Sequence, residues 1–309
     1  MIELRDVSKS YGGHRAVDGV SFSAKPGEIF GLLGPNGAGK TTAIRMLMNI
    51  LLPDSGEVII FDRAMQESDK ARIGYLPEER GLYKKVKVKD MLTYLADLKG
   101  APREESGQRI DSWLARFELS DWADKTVDSL SKGMAQKVQF IGSVVHDPDL
   151  LFFDEPFSGL DPVSADSLLQ SILELRRAGK TVLISTHILE QAEKLCDSIF
   201  LIHRGREVLS GSLQDIKRKR GRDTVAVEFS GDPASFEGLS GVKKVVSYPR
   251  YVELELEEGT QPDSILRHVL GKVSIQRFEV KAPSLHQIFV QEVGQSIRDI
   301  EEKESGETE

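Results

Sequence analysis

Nine consecutive residues, Gly34-Pro35-Asn36-Gly37-Ala38-Gly39-Lys40-Thr41-Thr42, carry the most specific chemistry in this 309-residue chain. The glycines let successive backbone N–H groups curl around one anion, and a helix starting there turns its positive end to the same point. Lys40 reaches terminal phosphates, and the Thr41 hydroxyl suits Mg²⁺. Further on, Asp154-Glu155 sets two carboxylates side by side, and His187 follows Thr186. Ser131 and Gly133, in Leu130-Ser131-Lys132-Gly133-Met134, stand at a helix entrance, where either capping or a phosphate contact is open to them. Tyr11, just before Gly12-Gly13, offers a nucleobase a π-face.

These groups need elements that bring them to one edge. The apolar run Ile29–Leu33 reads as a strand, and Ala43–Leu47 has a helical pattern. Strand, glycine loop and helix in that order make GxxxxGK[ST] a phosphate-binding loop. Asp149–Phe153 is apolar on both faces, as a central parallel strand is. It delivers Asp154 and Glu155 to the carboxyl edge, where open α/β sheets bind ligands. Thr181–Thr186 is a second such strand, and it places His187 at the same edge, in position for a γ-phosphate contact. Ile73–Glu79 reads as a buried strand stopped by Pro77. Ile2–Val7 and Ala16–Phe22 read as strands with turns at Gly12-Gly13 and Pro26-Gly27. Between about 86 and 146 the pattern is helical, with one stripe of Met91, Leu92, Leu95 and Leu98 and another of Ile110, Trp113, Leu114 and Phe117.

The expectation is an α/β nucleotide-binding domain over 1–216, with an inserted helical subdomain at about 86–146. The basic run 217–222 reads as a solvated linker. Strand and helix signals over 223–295 suggest a small α+β domain, similar to a ferredoxin-like fold with a weak first helix. Residues 296–309 are charged and apolar-poor, which reads as disorder. No apolar run approaches the roughly 18–20 residues needed to cross a bilayer, and no leader pattern opens the chain. A single cysteine, Cys196, excludes an intrachain disulfide and reads as a buried small apolar residue. The net charge of −8 gives no general attraction to nucleic acid. The setting expected is cytoplasmic.

These pieces in this order resemble the ATP-binding cassette ATPases, a P-loop NTPase fold with a RecA-like core, an antiparallel β subdomain and an inserted helical subdomain. The resemblance covers about Ile2 to Ile216. It implies that Tyr11 stacks on adenine, that Gly34–Thr42 is the Walker A loop, and that Asp154 helps hold Mg²⁺. Glu155 becomes the general base and His187 the switch histidine. Ser131 and Gly133 belong to the signature loop, and Asp161 to the D-loop that crosses a dimer interface. Two residues depart from the family pattern. Lys132 and Met134 replace the third and fifth positions of LSGGQ, and Glu78 stands where a glutamine usually touches Mg²⁺ and water. Within the family, Ile73–Tyr83, the signature loop and the ending Pro283–Phe289 are similar to ATPase subunits of two-component exporters, close to the sodium-extrusion type. That implies ATP and Mg²⁺ as cofactors, a head-to-tail homodimer with two ATP sites, and a separate integral-membrane permease. The chain would then lie peripherally on the inner face of the membrane and export Na⁺ or a drug-like substrate. A soluble cassette ATPase of the translation or repair type is the alternative, but such members carry two cassettes or long coiled coils.

Overall fold

The computed structural model describes residues 2–79, 81–219, 224–249, 251–257, 259–281, 284–290 and 292. The tail 296–309 and residues 220–222 of the basic run lie outside these. The chain divides into two compact units, Met1–Gly211 and Ser212–Glu309. In order, the first contains β1 (Ile2–Tyr11), β2 (His14–Ala24), β3 (Ile29–Leu33), α1 (Lys40–Leu47), β4 (Ser55–Ile60), β5 (Arg63–Ala64), β6 (Ile73–Leu76) and α2 (Val88–Leu98). It continues with α3 (Arg103–Arg116), α4 (Lys132–Val144), β7 (Leu150–Asp154), α5 (Pro162–Arg177), β8 (Thr181–Thr186), α6 (Leu189–Leu195), β9 (Ser198–His203) and β10 (Arg206–Ser212).

Every residue of β3, β7 and β8 is buried, so these strands carry apolar runs instead of alternation. They lie in a sheet of order β10-β9-β3-β8-β7-β6, in which β9, β3, β8, β7 and β6 run parallel. Leu33 pairs with Thr186, and Asp154 with Ser185, so the chain leaves β3, β7 and β8 along one edge. An antiparallel sheet, β2-β1-β4-β5, shares its core side chains (Ile2, Leu4, Val17 and Val20 among them) with Phe30, Ile44 and Phe200. Its first two strands extend beyond the expected spans. Tyr11 pairs with His14 across Gly12-Gly13, whose φ values of 53° and 87° suit a tight two-residue hairpin.

The helical layer over 86–146 is keyed to the sheet by Phe140, whose ring lies 5.3 Å from Phe153 and 5.8 Å from Phe117. A Cβ on Gly74 of β6 would lie 2.1 Å from the Ser143 carbonyl, so glycine there lets α4 approach the strand. One expectation fails. Leu98 is 62% exposed, while α2 buries Val88, Met91, Leu92 and Ala96. At about 100° per residue, Leu98 lies about 120° round the helix from Leu92 and beside the exposed Tyr94.

The second unit contains α7 (Leu213–Lys219), β11 (Thr224–Ser230), β12 (Val242–Ser247), β13 (Tyr251–Leu256), α8 (Pro262–Val269) and β14 (Ser274–Lys281). Its sheet, β12-β13-β11-β14, is antiparallel in every pairing, with the split arrangement of a ferredoxin-like fold. The weak first helix is a single 3₁₀ turn, Pro233–Phe236, capped by the Asp232 carboxylate. Lys217-Arg218-Lys219, read as linker, is instead the end of α7, where Arg218 pairs with Asp215 at 2.6 Å.

Candidate active site

The loop after β3 bends because its glycines allow it. Gly37 and Gly39 have φ values of 79° and 110°, and a Cβ on Gly39 would meet the Ala16 carbonyl at 2.2 Å. The loop wraps a pocket of about 320 Å³ lined by Gly37, Gly39, Lys40, Thr41 and Thr42, with Glu78 and Glu155 on its other walls. Thus the glycine loop, the second residue beyond β6 and the first beyond β7 converge as their strand ends require. Ala16 and Asn36 complete the lining.

Lys40 is the buried cation of this pocket. Its Nζ donates to Gly34 O at 2.8 Å and Pro35 O at 3.2 Å, and lies 3.3 Å from Glu155 Oε1. Glu155 Oε1 is also 3.0 Å from His187 Nδ1. Glu155 is buried and holds a left-handed backbone, φ 48°, which costs a non-glycine residue about 1–2 kcal/mol. Two bonds from its backbone N–H offset that cost, to Ser185 O at 3.1 Å and Ser185 Oγ at 3.2 Å. Asp154 is fully buried, and its Oδ1 accepts from Ser185 Oγ. Its Oδ2 has no hydrogen-bond partner among the described residues. Burial raises the Asp154 pKa, opposed by the Ser185 and Thr41 hydroxyls; Glu155 adds to the rise, and Lys40 opposes it.

Ser131, Gly133 and Asp161 do not line this pocket. Ser131 caps α4, accepting from Met134 N at 3.2 Å, so Lys132-Gly133-Met134 form the first turn of the helix. Asp161 caps α5 through Val163 N and Ser164 N, at 3.1 and 3.0 Å. The two caps are neighbours, because a Cβ on Gly133 would lie 3.8 Å from Leu160 Cδ2. Tyr11 stands 46% exposed at its hairpin, apart from the pocket lining.

Three residues emerge that the motifs did not mark. Ser185, a hydroxyl inside an apolar strand, bonds both Asp154 and the Glu155 N–H. Gln136 and Gln139 are buried on α4 and donate to the Pro156 carbonyl and to the loop around Glu78. Their sequence signal is only that two glutamines three apart share a helix face with Phe140 and Ser143. Among the described residues no ready-made cluster of three His, Cys, Asp or Glu ligands exists, and no helix is long and apolar enough to cross a membrane.

The pattern of the ABC transporter family matches residues 17–158, and that of the ATP-binding protein DrrA1-3-like C-terminal domain matches residues 211–293. The uncharacterized ABC transporter ATP-binding protein YhaQ of Bacillus subtilis is 40% identical over 294 residues, covering 95% of this chain and 99% of its own. The ABC transporter ATP-binding protein NatA of Bacillus subtilis is 40% identical over 224 residues, covering 70% of this chain and 91% of its own. A solved dimeric bacterial ABC transporter cassette matches with a TM-score of 0.64 at 25% identity, over 69% of this chain and 99% of that one.

Proposed function

We propose, from the premise that this chain belongs to the ATP-binding proteins of ABC transporters, that two copies close head to tail on ATP and drive a separate membrane permease. The chain is the ATP-hydrolysing subunit of an exporter, and the first unit carries every group the reaction needs. The observation that carries the reading is the convergence of Lys40, Glu155 and His187 beside a glycine loop that leads into a helix.

In this reading the loop N–H groups and Lys40 hold the β- and γ-phosphates, and Tyr11 stacks on the base. Glu155 takes a proton from a water as its oxygen bonds the γ-phosphorus. The bond from that phosphorus to the bridging oxygen breaks, and ADP and phosphate leave. His187 holds Glu155 in place through Oε1 and lies within reach of the same phosphate. The site fits Mg²⁺: Asp154 Oδ2 is a buried oxygen without a partner, and Thr41 supplies a hydroxyl beside it. Glu78, which also lines the pocket, would add a third oxygen ligand. When bound, Mg²⁺ neutralises charge on the phosphates.

Ser131, Gly133 and Asp161 sit together outside the pocket, and in the head-to-tail arrangement they meet the nucleotide held by the other copy. The matched dimeric cassette supports association of two copies. The chain works from the cytoplasmic face, docked on a permease near the Glu78 loop and the helical layer, and the permease selects Na⁺ or a drug-like cargo. Glu155→Gln tests the core of this. ATP binding should persist, hydrolysis should fall by about 100-fold or more, and light scattering should show an ATP-bound dimer. Hydrolysis at the wild-type rate, or ATP binding without dimerisation, would refute it. Co-purification with a multi-span protein from detergent-solubilised membranes separates the exporter reading from the soluble alternative, which predicts ribosome or DNA association instead.

A further inference from the structure

α4 starts at the Ser131–Gly133 segment and carries two inward amides, Gln136 and Gln139, 2% and 6% exposed. Residues three apart share a helix face. A buried amide left unbonded costs about 1–3 kcal/mol, so its partners say what it is for. Gln136 Nε2 donates to Pro156 O at 3.1 Å, immediately after Glu155. Gln139 Nε2 donates to Pro77 O at 3.3 Å and to Glu79 O at 3.1 Å. Those two carbonyls bracket Glu78 and lie beyond the last paired residue of β6, Leu76. Both acceptors are carbonyls, so the amide's NH₂ end must face them. Gln139 Oε1 is buried and accepts no hydrogen bond among the described residues. The side chain therefore gives both its protons to the Glu78 loop and receives nothing in return.

We propose that Gln139 is a positioning residue: it ties the backbone on both sides of Glu78 to the helix that begins with Ser131 and Gly133. This rests on the reading of Glu78 as part of the site. Through Gln136 the same helix grips the segment behind Glu155. Two walls of the phosphate pocket are thus referenced to α4, while the glycine loop is built on β3 and α1. A rotation of α4 carries Glu78 with it and leaves the nucleotide grip in place. The geometry assigns Gln139 an effect on turnover, not on ATP affinity.

The test uses the full chain with Gln139→Met, which keeps the length and removes both donors. The expected result is a fall in kcat of about tenfold, with KM and the Kd for a fluorescent ATP analogue within about twofold of wild type. Glu78→Ala is measured alone and combined with Gln139→Met. If Gln139 acts through Glu78, adding Gln139→Met to Glu78→Ala lowers kcat no further. A wild-type kcat for Glu78→Ala alone would defeat the reading of Glu78 as a site residue. A lowered kcat for Glu78→Ala with a normal one for Gln139→Met, or two effects that multiply, would overturn the clamp. Loss of analogue binding in Gln139→Met would overturn it too, by showing that the amide holds the fold and not the loop.

Discussion

Acid should weaken the first unit through one buried histidine. His146 is 9% exposed, its Nε2 lies 3.2 Å from the Ile73 carbonyl, and its Nδ1 has no partner among the described residues. Burial pushes its pKa down to about 4, helped by the Lys99 ammonium and opposed by the hydrogen bond to Ile73. The unfolded imidazole takes its proton near pH 6.5, the folded one only near 4. Between these the unfolded state binds more protons, so stability is complete above about pH 7 and drains as pH falls. At about 1.4 kcal/mol per pKa unit the full effect is about 3 kcal/mol, and about 2 kcal/mol of it is lost between pH 7 and pH 5. The chain has two tryptophans, Trp113 and Trp122, both in the first unit, so their fluorescence during urea unfolding reports on that unit. His146→Gln keeps a donor for Ile73 and removes the titration. The stability difference between wild type and this variant should shrink or reverse by about 2 kcal/mol from pH 7 to pH 5. A difference that stays flat over that range would refute the reasoning.

Two further outcomes follow from packing. Gly39→Ala places a methyl against the Ala16 carbonyl at 2.2 Å with φ at 110°, so the loop must deform. At about 3 kcal/mol for clash and strain, ATP affinity should fall roughly 100-fold by titration, with the urea midpoint of the second unit unchanged. Cys196 is buried, and burial raises its thiol pKa, with Asp197 adding to the rise. It should resist a thiol reagent in the native chain at pH 8 and react fully in denaturant.

What was legible in the sequence was whatever local chemistry dictates. Gly34–Thr42 declares itself because an anion-binding turn needs glycines, a lysine and a helix start in a fixed order. Asp154-Glu155 and His187 were placed because a doubly buried parallel strand must be apolar and its carboxyl end must be polar. Position 98 misled because a leucine at helical spacing signals a buried face only when its angle falls on the stripe, and Leu98 falls beside Tyr94. The end of α7 misled in the opposite sense: a run of like charge reads as linker, yet Arg218 answers Asp215 one turn earlier. Gln139 was not legible at all as a clamp. Its partners are backbone carbonyls 60 and 62 residues away, and carbonyls carry no sequence signal.

The glycine loop, which alone implies only that a triphosphate binds, takes on a narrower meaning beside its neighbours. An ammonium has three donors, and around Lys40 three oxygens are within reach: Gly34 O, Pro35 O and Glu155 Oε1. A phosphate oxygen entering the pocket competes with them for Nζ. The backbone carbonyls belong to the loop that forms the cradle, so they stay. The carboxylate at 3.3 Å is the longest contact and the one that an incoming anion repels. In the proposed mechanism, exchange at Lys40 frees Glu155, which His187 still holds at 3.0 Å, for the role of base. Binding and base activation would then be one event at one nitrogen. The helix cap at Ser131 and Gly133 and the turn at Asp161 take no part in that exchange, since they lie outside the pocket. The proposed head-to-tail pairing would bring them to a phosphate held by a second copy.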